Sequence, residues 1–350
     1  MIGYGSFFHE IGLKDTPKQT IVPFKDHLFF YAGRYAIKYI LECIKKHQNI
    51  ATIWLPEYYC PYVKDWMHKN FTQIKYYPVD PFAHEPQIPW SYFLPTDVVL
   101  LNNYWGLHQF NPPMVKERPL IVEDHSHGWL SAGALNSKAD FCVASLRKTV
   151  PLPLGGIVWK PNNSRLQIPL KEPDLLEDHD FTDLALAWDT MAKAMHSKAT
   201  CRTEQDKQNY LQTYAQGEAI LKQTMRVTTM APEHQKALEL FVFKDYNKVK
   251  KDNLNKLYSL LRPSIHFKIL AKPETTPFGL ILLFKDRKTM LLCKDHLIKN
   301  KLFPAELWPD NLLNLPYNCM LNIHVDLRYT PVDMQRMANI INQWNPDNHV

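Results

Sequence analysis

Residues 121–156 constrain the fold of this chain more than any other stretch. They read IVEDHSHG, a gap, then ADFCVASLRKTVPLPLGG. Two apolar segments, 120–122 and 141–144, have the composition of buried strands. Each runs into a polar cluster: Asp124 with His127 after the first, Ser145 with Lys148 after the second. Short, continuous apolar runs suit a parallel sheet covered on both faces. In an open α/β sheet, reactive groups collect outside the carboxyl ends of the strands. The pattern predicts a sheet with an acid, a hydroxyl and a lysine along one edge.

The surrounding sequence supports such a sheet. Residues 34–47 place Ala36, Ile37, Ile40, Leu41 and Ile44 on one helical face. Residues 51–55 read as a strand stopped by Pro56, 62–71 as a helix, and 74–79, 98–101 and 156–159 as strands. This alternation predicts an α/β domain with a mixed, mostly parallel, seven-stranded type of sheet and helices on both faces. From 183 to 261 the pattern is helical, broken near Pro232. Strands return at 265–270, 279–284 and 320–325, with a helix at 288–300. A last helix opens at Thr330-Pro331-Val332-Asp333, where an N-cap threonine, a proline at the first position and an acid at the third give a strong start signal. The expected division is a large α/β domain over 20–230 and a small C-terminal α+β domain over 231–350. An N-terminal arm, 1–19, is expected to pack on the small domain or on a partner subunit.

With 350 residues, the chain is long enough for two domains and a sizeable core. No apolar run reaches the length of a membrane span, and the first residues lack the basic start and apolar core of a signal peptide. Six cysteines (Cys43, Cys60, Cys142, Cys201, Cys293 and Cys319) form no CxxC pair. That argues against a zinc ribbon or disulfide frame and suits a reducing cytoplasm. The net charge of +6 raises the question of nucleic acid, but the lysines are dispersed. The one dense run, 248–251, falls in an amphipathic helix and reads as a solvated face. A mild positive bias also suits a phosphorylated small substrate.

An acid, a hydroxyl and a lysine at one sheet edge point to a phosphorylated, nitrogen-containing cofactor. Pyridoxal phosphate (PLP) uses all three: a lysine for its aldehyde, a carboxylate for its ring nitrogen and donors for its phosphate. Lys148 is the candidate for the aldehyde; it must shed its proton to react, which burial and Arg147 beside it favour. Asp124 is the candidate for the ring nitrogen, although an aspartate capping a turn has the same signature. His127 is placed to reach the ring oxygen, with His125 pointing elsewhere. Gly33-Arg34 opens a helix whose first N–H groups attract an anion, and Ser145 adds a hydroxyl. Pro56-Glu57-Tyr58-Tyr59-Cys60 ends a strand with rings that either stack on a pyridine or fill the core. Asn102-Asn103-Tyr104-Trp105-Gly106 ends another and is placed to line the same cleft. Two rivals use the same residues. A metal site built from Asp124, His125, His127 and His108 lacks a convincing third-ligand motif and leaves Lys148 unexplained. A serine hydrolase using Ser145 lacks the G-x-S-x-G turn.

The order of these segments resembles the fold-type-I PLP-dependent enzymes. More narrowly, it resembles a divergent branch of the DegT/DnrJ/StrS-type sugar aminotransferases. The resemblance rests on Gly3-Tyr4-Gly5-Ser6-Phe7-Phe8, Gly33-Arg34-Tyr35-Ala36, Pro56 through Cys60, and Asn103-Tyr104-Trp105-Gly106. It continues with Asp124 and His127, Ser145-Leu146-Arg147-Lys148 through Gly155-Gly156, and Asp326-Leu327-Arg328-Tyr329. It implies that Lys148 forms the Schiff base and shuttles the proton, that Asp124 pairs with the ring nitrogen, and that His127 lies near the ring oxygen. Ser145, Gly33 and Arg34 would hold phosphate, and Tyr58 or Cys60 would lie against the ring. Tyr104, Trp105 and Arg328 would meet substrate. The implied protein is a cytoplasmic, homodimeric aminotransferase acting on a keto group of a nucleotide-linked sugar or related metabolite, with glutamate or glutamine as donor. The alternative is a divergent protein of this fold with other PLP chemistry or a non-enzymatic binding role. The chain departs from the family in two places. Its serine precedes the lysine by three residues rather than five, and the stacking position falls on Cys60.

Overall fold

The computed structural model describes residues 3–5, 8–12, 14, 24, 26–115, 117–162, 164, 166–171, 175, 180–228, 230–272, 274–311 and 313–345. In chain order the first half contains β1 (Tyr4–Gly5), β2 (His27–Phe30), α1 (Gly33–His47), β3 (Ile53–Pro56), α2 (Pro61–Asn70) and β4 (Ile74–Tyr77). It continues with β5 (Val98–Asn102), β6 (Leu120–Asp124), α3 (Ala132–Leu135), β7 (Phe141–Ser145) and β8 (Gly156–Trp159). The helical stretch is α4 (Thr182–Thr200), α5 (Glu204–Gln223), α6 (Pro232–Val242) and α7 (Asn247–Leu260). The chain closes with β9 (Lys268–Leu270), β10 (Leu280–Phe284), α8 (Arg287–Lys299), β11 (Leu302–Phe303), β12 (Cys319–Ile323) and α9 (Pro331–Asn342).

A seven-stranded sheet runs in the order β2-β8-β7-β6-β5-β3-β4. Strands β3 to β7 pair in parallel, and β8 lies antiparallel between β7 and β2. This is the mixed, mostly parallel sheet expected from the apolar runs. Strand β2 has no counterpart in that pattern, because four residues outside the βα alternation give no periodicity. Strands β5, β6 and β7 each extend through the polar residue that ends the run, namely Asn102, Asp124 and Ser145. The strand thus delivers its last side chain to the carboxyl edge.

The path from β2 into α1 brings a helix N-terminus to that same edge. A Cβ on Gly156 would lie 2.4 Å from the carbonyl carbon and oxygen of Ala32, and one on Gly33 would lie 3.0 Å from the Ser145 Cβ. Only glycine lets the start of α1 pack this closely on the β7–β8 edge.

Two hydrophobic cores result. The first surrounds the large sheet; the second joins α7, α8 and α9 to the three-stranded sheet β12-β10-β9. The change of core does not coincide with residue 230. Leu238 and Val242 of α6 belong to the first core, and the second begins at Leu254 in α7. The described part of the N-terminal arm reaches both units: β1 pairs with β11 and the Tyr329 hydroxyl accepts from the Gly5 N–H at 3.0 Å, while the Glu10 N–H donates to the Met195 carbonyl of α4 at 3.1 Å. Ser6 and Phe7 of the N-terminal motif lie outside the described residues. Helix α9 opens with the capping box read from the sequence, Thr330 and Asp333 bonding each other's backbone N–H. The run at 248–251 is not the solvated face expected. Lys248 is exposed, but Lys250 is 5% exposed on the face that carries Asn253, Leu254 and Leu257. Burial pulls the Lys250 ammonium down to about 8, with Asp326 nearby opposing that shift. Among the described residues, no helix is long and apolar enough to cross a membrane.

Candidate active site

A cavity of about 270 Å³ opens at the carboxyl edge of the large sheet, beside the N-terminus of α1. Asp124 enters it from the end of β6. Its Oδ1 accepts the Ser126 N–H at 2.8 Å, and its Oδ2 accepts the Tyr59 hydroxyl. Burial, reinforced by the Asp124 charge, pushes the Tyr59 phenol well above its ordinary range, so it remains a donor. A carboxylate has about four acceptor positions, so these two bonds leave Asp124 able to accept another.

Helix α1 has no side-chain cap and no acid in its first turn. The N–H groups of Tyr35 and Ala36 bond to the Ala32 carbonyl, whereas those of Gly33 and Arg34 precede the first intrahelical bond. They line the cavity next to Ser145, which makes this end of the helix an anion site. The Ser145 N–H is bonded to the Ser126 hydroxyl at 2.8 Å, while the Ser145 hydroxyl has no protein partner among the described residues. Arg34 donates to the Leu221 carbonyl and to Tyr35; its Nε is buried with no partner.

Lys148 sits in the single helical turn 146–148 that follows β7. Among the described residues, its ammonium makes no hydrogen bond or ion pair and lies 5.5 Å from the centre of the Trp308 ring. Arg147, which lines the same cavity, bonds to Glu218 and Tyr214 on α5. Burial works against both charges of this pair. Tyr214 and Glu218 together hold Arg147 above its ordinary range, and Arg147 holds Glu218 below its own. At the mouth, the Lys222 ammonium stands 4.5 Å over the Tyr62 ring.

The structure brings Gly33, Arg34, Cys60, Asp124, Ser145 and Lys148 into this one cavity. Tyr58, His127, Tyr104, Trp105 and Arg328 do not line it, although His127 is close enough to Lys148 to feel its charge. Tyr58 turns into an aromatic cluster and donates to the Leu307 carbonyl at 3.2 Å; its neighbour Tyr59 faces the cavity instead. The His127 ring lies 5.2 Å from both the Trp105 and the Trp308 rings, nearly parallel to Trp105 and 29° from the plane of Trp308, and among the described residues neither of its nitrogens has a hydrogen-bond partner. Burial, together with Lys148, holds that imidazole neutral, far below its usual range. Tyr104 donates to the Tyr58 carbonyl and Trp105 to the Pro81 carbonyl, both fully buried. Arg328 is locked to Asp326 by two bonds of 2.8 Å, deep in the interior.

Tyr59, Ser126, Tyr62, Glu218, Lys222 and Trp308 complete the site without having been signalled as such. Tyr214, Glu218 and Lys222 follow one another at intervals of four, a helical stripe visible in the sequence. Nothing in the sequence links Trp308 to Lys148.

The metal alternative does not assemble. His125 points away from Asp124, donating to Glu123 at 2.9 Å and accepting from Asn103 at 3.1 Å, while His108 lies against a different pocket. Among the described residues, the group close enough to hold an ion is Glu123, His125 and Cys142, within 4.8 Å. Those side chains are already joined through Ser137, which donates to Glu123 at 2.8 Å and accepts from Cys142 at 3.2 Å. Ser145 has no histidine partner, so no hydrolase triad forms.

Several solved structures share this architecture. The sugar aminotransferase Spr1654 from Streptococcus pneumoniae, in its PLP form, aligns with a TM-score of 0.59 at 11% identity, covering 97% of this chain and 99% of that one. CalS13 from Micromonospora echinospora, also a sugar aminotransferase, gives 0.55 at 12% identity over 98% and 100% of the two chains. The 3-amino-5-hydroxybenzoic acid synthase gives 0.57 at 12% over 93% and 88%. No protein-family model and no curated protein sequence matches the chain. The protein therefore has the fold of the fold-type-I PLP enzymes, at an identity so low that the role of each side chain rests on the site itself.

Proposed function

We propose that this protein is a PLP-dependent aminotransferase acting on the keto group of a nucleotide-linked sugar or related metabolite, with glutamate or glutamine as amino donor. One observation carries the reading: an amine with no hydrogen-bond or ion-pair partner among the described residues, a buried carboxylate and an uncapped helix N-terminus share one cavity. PLP presents an aldehyde, a ring nitrogen and a phosphate, and each finds a counterpart there. Sugar aminotransferases among the structural neighbours support the substrate class.

When bound, PLP supplies the electron sink on which an amino group can be exchanged. The chain's own residues do the rest. The N–H groups of Gly33 and Arg34, with the Ser145 hydroxyl, hold the phosphate. Asp124 is the group that would accept a hydrogen bond from the ring nitrogen and favour its protonated form. Tyr59 and Ser126 hold Asp124 in place through its two carboxylate oxygens. Lys148 is the amine that would hold the aldehyde and the base that would carry a proton there. The Arg147–Glu218 pair anchors α5 over the cavity, which limits the entry of water. We take the protein to be a cytoplasmic homodimer, consistent with its six free cysteines.

The test is an absorbance spectrum with added PLP, before and after borohydride, on wild type and Lys148→Ala. A visible band that borohydride fixes to the wild-type protein and that is missing in the variant supports the reading. No band in wild type, or an unchanged band in the variant, refutes it.

A further inference from the structure

We propose that Trp308 is a positioning residue for Lys148: its indole face holds the lysine ammonium whenever that nitrogen is not bonded to a cofactor. The proposal rests on the assignment of Lys148 as the cofactor lysine. It adds a residue from the C-terminal part of the chain to a site otherwise built on the large sheet.

The first support is the electrostatic setting of Lys148. The two carboxylates of the cavity are both engaged, Glu218 by Arg147 and Asp124 by Tyr59 and Ser126. Nearby His127 is neutral, and Arg34 and Arg147 are like charges. What faces the ammonium is the negative π-face of the Trp308 ring, at 5.5 Å.

The second support is backbone conformation. Trp308 has φ 53°, a left-handed conformation that bulky residues rarely adopt and that costs free energy unless the surroundings enforce it. The surroundings do enforce it. The Asn311 amide donates to the Tyr59 carbonyl at 3.0 Å, its oxygen accepts from Lys64 at 3.0 Å, and the Tyr58 hydroxyl donates to the Leu307 carbonyl. The indole is stacked on His127 with 29° between planes. These contacts tie the loop around 307–311 to the strand end that carries Tyr59. The strained backbone and these contacts together fix the indole beside the amine.

Bonding of Nζ to the aldehyde carbon would expel water and, on this proposal, take the nitrogen out of its contact with the indole. Removing the indole therefore destabilises free lysine more than bonded lysine. PLP titrations of wild type, Trp308→Phe and Trp308→Leu, followed by the visible band, test this. The expected result is tighter apparent PLP binding in the order Leu, Phe, wild type, by about 2- to 30-fold for Leu, the range of a cation–π contact. A merely structural tryptophan gives the opposite sign, because a loosened loop weakens binding in both variants. Weaker or unchanged binding in the folded Phe variant overturns the proposal, even if the Leu variant fails to fold. If wild type shows no band, the cofactor reading fails, and acetic anhydride labelling decides the contact alone. Lys148, compared with exposed Lys138 by mass spectrometry, should then label several-fold faster in the Phe and Leu variants. An unchanged ratio overturns it.

Discussion

Strand β6 ends in two adjacent carboxylates that lead opposite lives. Asp124 enters the cavity that contains Lys148. Glu123 points to the other face, 1% exposed, where its Oε2 accepts from His125 and Ser137 and its Oε1 has no partner. The back-face group of Glu123, His125, Ser137 and Cys142 also gathers reactive residue types, as the cavity does. There, however, most donors and acceptors are spent on one another. In the cavity, the Ser145 hydroxyl, the Lys148 ammonium and the first N–H groups of α1 face a space with no protein partner among the described residues. Residue type does not separate a site from a structural network; unspent hydrogen-bonding capacity around a space does.

Substitutions at these two carboxylates can break the comparison. Asp124→Asn keeps a side chain that can still accept from Tyr59 but removes the charge facing the ring nitrogen. Amino transfer should fall by on the order of 10²–10³-fold with the melting temperature little changed, as read by single-turnover rates and calorimetry. Glu123→Gln should do the reverse. It leaves His125 and Ser137 with a poorer acceptor in a dry interior and should cost about 2–4 kcal/mol in urea unfolding, with PLP uptake retained. If the two phenotypes are exchanged, the division between site and scaffold fails.

Gly156→Ala acts where the two regions meet. Its added methyl would sit 2.4 Å from Ala32 backbone atoms, so the start of α1 must move away from Ser145. A loss of about 3 kcal/mol in stability and weaker retention of inorganic phosphate by the cofactor-free protein are expected. Unchanged phosphate affinity would mean that the anion site does not depend on this close packing.

The sheet was legible because its strands are apolar runs that end in polar residues, and 98–101, 120–122, 141–144 and 156–159 are all such runs. Asp124, Ser145, Lys148 and Gly33 were legible for the same reason: each lies within a few residues of a strand or helix end. His127 was not. It shares Asp124's segment, but the loop after β6 packs its ring against those of Trp105 and Trp308. Tyr59 and Tyr58 lie beyond the end of β3, where strand alternation no longer tells which ring faces the cavity. Trp308 reaches Lys148 across 160 positions of chain, through packing that no local pattern encodes.

The smallest expected effect separates histidines that are bonded from those merely enclosed. His108 is 4% exposed, and burial, with Lys272 adding to it and the His84 backbone opposing, drives the imidazole down to about 3. Unfolded, the same side chain takes up a proton near pH 6.5. Between those values the unfolded chain binds the extra proton, so stability rises with pH across the window and is lost as pH falls from 6.5 toward 3. At pH 5 the loss amounts to about 2 kcal/mol for this one histidine. His324, held near 3 mainly by burial, adds a second contribution of the same sign. His108→Phe, beside Phe110, should therefore be less acid-sensitive than wild type by about 2 kcal/mol when urea unfolding at pH 5 is compared with pH 7. An equal acid loss in both proteins would show that the His108 ring is solvated rather than enclosed, and the contrast between spent and unspent polar groups would then have to exclude it.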